Sequence, residues 1–140
     1  MSPDLDSPTS GGLLLRFKMD TDYMAAMDEP AHGHFYGAFW YGSDVSAIGP
    51  EEGAQSLGSI YVENIVLPED GSSTEILFSQ SDLPAEEIVV LGFLDSDANA
   101  DPNSPAPDAK DPVTLPHDND FDVVGGEETE AIVFFAFLNP

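Results

Sequence analysis

Cysteine is absent from this 140-residue chain, which excludes a disulfide framework, a thiolate metal site and a thiol nucleophile. Basic residues are almost absent: Arg16, Lys18 and Lys110 stand against 27 acidic residues, for a formal net charge of −24. Such a chain repels nucleic-acid phosphates and anionic lipid and gathers cations. Neither nucleic acid nor a membrane surface is therefore expected as a partner. No apolar run approaches the roughly 18 residues of a spanning helix, so direct membrane insertion is not expected either. Gly-x-Ser-x-Gly, a glycine-rich phosphate loop and His-Glu-x-x-His are all missing, and no acid pair stands out among so many carboxylates. A non-catalytic protein is the expectation.

Hydrophobic residues make up 41% of the chain, enough for one domain with a real core. Residues 1–12, rich in Ser, Pro, Asp and Gly, read as a flexible tether of the kind left when a signal or lipid-anchor segment is removed. That reading places the protein outside the cell or in a periplasm, with residues 13–140 as its folded domain. The acidity has two explanations of equal weight. It reflects a specific cation site, or the lysine-poor surface of a protein in a saline medium.

Beyond the tether, short β-branched and aromatic runs alternate with Gly, Pro, Asp and Ser clusters. Strands are predicted at about 13–19, 34–41, 59–67, 74–80, 87–94, 121–124 and 130–138. Leu13, Leu15, Phe17 and Met19 share one face of the first, and Arg16 and Lys18 the other, where carboxylates of a neighbouring strand would meet them. Residues 20–30 are compatible with either a helical turn around Met24 and Met27 or an irregular connection. Seven strands with few helical signals predict an all-β, antiparallel, two-sheet sandwich of Ig-like or prealbumin-like kind. The runs 88–94 and 131–138 are apolar on both faces, so something must cover the second face. Residues 20–30 or 45–55 are candidates, and a partner or a second copy in a homo-oligomer or surface assembly is the alternative.

The strongest chemical signal follows the fifth predicted strand. Asp95, Asp97, Asn99 and Asp101 place oxygen-bearing side chains at every second position where strand gives way to loop, the donor type that Ca²⁺ prefers. Asp108 and Asp111 return later in a proline-rich loop and would close the shell. The pattern is not an EF-hand: Ala100 stands at the turn-glycine position, Ala106 at that of the bidentate acid, and no helices flank it. The six residues Asp95, Asp97, Asn99, Asp101, Asp108 and Asp111 are the candidate Ca²⁺ ligands. The competing reading is a solvated acidic loop.

His32-Gly33-His34 is a weaker signal. Alternate strand residues would aim both imidazoles at one Cu²⁺ or Zn²⁺, with His117, Met24 or Met27 as further ligands, as in a periplasmic metal carrier. Hydrogen-bonded strand histidines are the commoner outcome. Phe35, Tyr36, Phe39, Trp40 and Tyr41 could stack a sugar ring, although aromatic strand residues more often form core and cross-strand pairs.

The run from Asp82-Leu83-Pro84 through Gly92-Phe93-Leu94 to Asp95-Ser96-Asp97-Ala98-Asn99-Ala100-Asp101 resembles a segment of secreted bacterial transthyretin-like and carboxypeptidase-regulatory-like domains. The resemblance covers about 20 residues and implies an exported, usually non-catalytic prealbumin-like sandwich attached to a larger surface protein or lipoprotein. Ala98 and Ala100 depart from the glycines usual there, and the loop runs longer. The functional expectation is an exported binding or structural module with a Ca²⁺-stabilised acidic loop. A self-assembling surface subunit and a copper or zinc carrier are the alternatives.

Overall fold

A computed structural model describes residues 9–27, 31–46, 49–96, 107 and 111–139. It is all-β. The strands are β1 (Ser10–Met19), β2 (His32–Tyr41), β3 (Val45–Ser46), β4 (Gly49–Pro50), β5 (Gly58–Val66), β6 (Phe78–Pro84), β7 (Glu87–Asp95), β8 (Pro112–Thr114), β9 (Asp120–Asp122) and β10 (Glu128–Leu138). One helix, α1 (Thr21–Ala25), follows β1, with the Asp20 carboxylate accepting from the Asp22 amide at its N-terminus.

Eight strands form one mostly closed sheet in the order β5-β2-β7-β8-β10-β1-β6, with β9 beside β7; β3 and β4 make a separate ribbon. Each predicted strand overlaps an observed one. Three differences matter. The sheet is mixed, because β1 runs parallel to β10 from Gly12↔Glu128 to Met19↔Phe135. The fourth strand starts later than its β-propensity suggested, although the Thr74 and Leu77 amides already bond to the Phe17 and Leu15 carbonyls beside β1. Residues 10–12, expected in the tether, belong to β1, where Ser10 and Gly11 pair with Pro84 and Leu83.

The core follows from period-two alternation. Leu13, Leu15, Phe17 and Met19 turn inward from β1 and meet Phe35 and Phe39 of β2, Val90 and Leu94 of β7, and Val133 and Phe135 of β10. Phe17, Phe35 and Phe135 form a ring cluster with centroids 5.0 to 6.3 Å apart, joining the two halves of the sheet. On the outer face of β1, Arg16 Nε lies 2.6 Å from Glu130 Oε1, and Lys18 Nζ sits 6.0 Å over the Phe134 ring. The carboxylate partner expected on a neighbouring strand is thus Glu130.

The seam between β7 and β10 is bridged by three-residue β8 and by two polar side chains. Thr114 pairs by backbone with Phe135, and its hydroxyl accepts from the Gly92 amide at 2.9 Å. Asn119 is fully buried; its amide donates to the Phe134 and Leu115 carbonyls, each at 3.0 Å, and its Oδ1 accepts from the Phe134 amide. Its own backbone carbonyl accepts from Val90 of β7. Side chains therefore supply ladder bonds where no strand lies close enough, which satisfies backbone groups that would otherwise be stranded.

The second apolar faces are covered only in part by the chain. Tyr23 of α1 packs against Phe137 with centroids 6.3 Å apart, and the Asp20 amide bonds to the Phe135 carbonyl. Ile132 and Phe137 stay partly open, at 43% and 38% exposure. Both outer strands of the sheet carry a non-glycine residue at positive φ, Asn64 in β5 and Asp82 in β6, which interrupts a flat edge against pairing.

Candidate functional site

Asp95 and Asp111 frame the acidic loop, and the fold buries both to 1% exposure. Asp95 ends β7 opposite His34 of β2. Gly33 lets the strands approach there: it has φ +147°, and a Cβ would press on the Asp95 carbonyl group, 2.7 Å from its carbon. Asp111 is held from two sides. Its Oδ1 accepts from the Ser96 hydroxyl at 3.0 Å and the Ser96 amide at 3.3 Å, while its carbonyl accepts from the Asn139 amide. The Asn139 side chain also donates to the Pro107 carbonyl. Asp111 is thus bonded to the residue that follows Asp95, which ties the end of β7 to the start of β8.

Asp97, Asn99, Asp101 and Asp108 lie outside the described residues, as does Lys110. Among the described residues, no group of three or more His, Asp or Glu side chains is arranged to hold a metal ion. The His-Gly-His segment sits in a β-bulge: the β2–β5 register shifts between Gly33 and Phe35, and the amide of left-handed Asn64 donates to His34 Nδ1 at 3.1 Å. His34 thereby serves the amide that the bulge removes from the ladder. His117 occupies a turn at Pro116–Asp118, just ahead of Asp120, which pairs with Val89. Val89 and the Asp95 level of His34 are six residues apart along β7, on the order of 20 Å, so His117 is not brought to the other two. Met24 and Met27 pack against the core.

The aromatic run divides by strand face. Phe35 and Phe39 are core, whereas Tyr36 and Trp40 lie on the outside of the sheet. There Tyr36 meets Tyr61 of β5 at 5.0 Å and Phe93 of β7 at 5.5 Å between centroids, and these rings line a groove of about 920 Å³ bordered by Pro50 and Pro107. Gly37 and Gly92 face each other across β2 and β7, and the Phe35 ring covers both from the core side. Partial burial, then the charge of Glu63, raise the Tyr61 phenol above its ordinary pKa. Sequence reasoning found Tyr36 and Trp40 but missed Tyr61 and Phe93. Their only signal was alternation on strands that become neighbours in the fold.

No family model matches the chain, and no curated protein or solved structure matches it. No helix among the described residues is long and apolar enough to cross a membrane.

Proposed function

We propose that the protein is a non-catalytic, exported binding or structural module whose 95–111 loop is closed by Ca²⁺. The observation that carries this reading is the run of oxygen donors Asp95, Asp97, Asn99 and Asp101, with Asp111 bonded back to Ser96 at the loop neck. Carboxylate and amide oxygens are the donors a hard divalent cation prefers, and Asp108 offers a further one within the same loop. The ion is structural: it ties the end of β7 to the start of β8 and offsets part of the net charge of −24. On this reading the two halves of the sheet act as facing layers of a transthyretin-like sandwich.

Thermal unfolding at fixed ionic strength tests the proposal. Binding to the folded state alone adds about 2.7 kcal/mol when Ca²⁺ is one hundred times its Kd. Millimolar Ca²⁺ raises the melting temperature, chelator reverses the gain, and Asp97→Ala reduces it. Superimposable curves in CaCl₂ and NaCl at equal ionic strength defeat the proposal.

A further inference from the structure

The groove outside β5, β2 and β7 has an aromatic floor, formed by Tyr36, Trp40, Tyr61 and Phe93, and among the described residues no charged side chain lines it. Its surroundings are acidic. Glu63 follows Tyr61 on the same strand face, exposed Glu51 follows Pro50, and the chain as a whole carries −24. Arg16 and Lys18 both lie on β1, in the other half of the sheet. An anionic ligand therefore meets the repulsion of these carboxylates, with no base among the described residues beside it. A sugar presents many hydroxyls that need planar polar partners, and among the described residues no Asp, Asn, Glu, Gln or Arg side chain lines the groove. A cation whose charge is wrapped in methyl groups needs no such partners, and aromatic rings and a negative surrounding potential both attract it.

We propose that this groove binds an organic cation with a methylated ammonium head. Tyr61, exposed at the rim beside Tyr36, contributes a ring to the head, while the volume of about 920 Å³ leaves room for an apolar body attached to it. The aromatic floor lies on β2, β5 and β7, outside the acidic loop, so the test runs in chelator and is repeated in Ca²⁺ because Pro107 of that loop borders the groove.

Trp40 is the only tryptophan and belongs to the floor, so its emission reports binding directly. The titration uses choline, its uncharged carbon isostere 3,3-dimethylbutan-1-ol, and maltose, all at constant ionic strength. The expected result is a saturable emission change with choline and affinity about tenfold weaker for the alcohol, the size of one desolvated cation–π contact. Tyr61→Ala weakens choline about tenfold, and Tyr61→Phe, which keeps the ring, retains it. Cooperative melting of both variants confirms that they fold. Equal affinity for the alcohol, tighter binding of maltose, a choline response that does not saturate, or one unchanged in Tyr61→Ala overturns the proposal.

Discussion

Asn119→Ala removes the side chain that stitches the two halves of the sheet. In the folded protein that side chain is fully buried and makes three hydrogen bonds, two to Phe134 and one to Leu115. Each contributes about 1 kcal/mol net, and truncation strands the partner groups instead of replacing them, so the expected cost is roughly 3 kcal/mol. Against a total stability on the order of 5–15 kcal/mol this is large, and for a domain of this size it lowers the melting temperature by roughly 10 °C. Asn119→Asp keeps the shape and the acceptor for the Phe134 amide but loses both donated bonds and sets a carboxylate against two carbonyl oxygens. It should destabilise at least as much as alanine. The assay is urea unfolding followed by Trp40 fluorescence and far-UV circular dichroism, with the slope checked for two-state behaviour. If Asn119→Ala lies within about 0.5 kcal/mol of the parent, the seam does not depend on this side chain and the reasoning fails.

Three further outcomes follow from the same structure. Gly33→Ala forces a Cβ against the Asp95 carbonyl at a left-handed φ and should cost roughly 2–3 kcal/mol in denaturant unfolding; an unchanged midpoint removes Gly33 from the positioning of Asp95. Desolvation, then the charges of Asp120 and Asp122, push the Glu87 carboxyl above its ordinary value. Its contribution is full below the unfolded value and is lost as pH rises through the raised folded value, so Glu87→Gln should melt higher than the parent at neutral pH. That gap should close as pH falls to the ordinary glutamate range, and a pH-independent gap contradicts the assignment. With 27 acids and three bases, added NaCl in chelator should raise the melting temperature by screening self-repulsion; a fall with salt refutes that account.

The strands were legible because burial imposes period two: Leu13, Leu15, Phe17 and Met19 announce their face before any partner is known. Sequence did not predict which strands pair. The parallel alignment of β1 with β10 depends on contacts more than a hundred residues apart, which no local spacing encodes. Short β8 and Asn119 were invisible for a related reason. A three-residue strand has too little pattern to recognise, and an asparagine among turn residues reads as loop until the Phe134 backbone is found against it. In His-Gly-His, the histidines drew attention as ligands, yet the glycine carries the positional constraint and His34 serves a bulge amide. The acidic repeat was legible as a donor pattern, while the burial of its two flanking residues, Asp95 and Asp111, emerged only from the fold.

The central claim is that a single Ca²⁺ closes the 95–111 loop, and calorimetric titration of the chelator-stripped protein tests it most directly. The account predicts one site per chain, retained with excess Mg²⁺ because Mg²⁺ dehydrates reluctantly and demands near-ideal octahedral geometry, whereas Ca²⁺ accepts more oxygen ligands. Asp97→Ala and Asp111→Asn should each weaken that site, while Glu130→Gln, on the outer face of β10, should leave it intact. Heats that fit only weak, non-saturating association, identical in Asp97→Ala and matched by Mg²⁺, would contradict it and leave the loop as a solvated acidic segment.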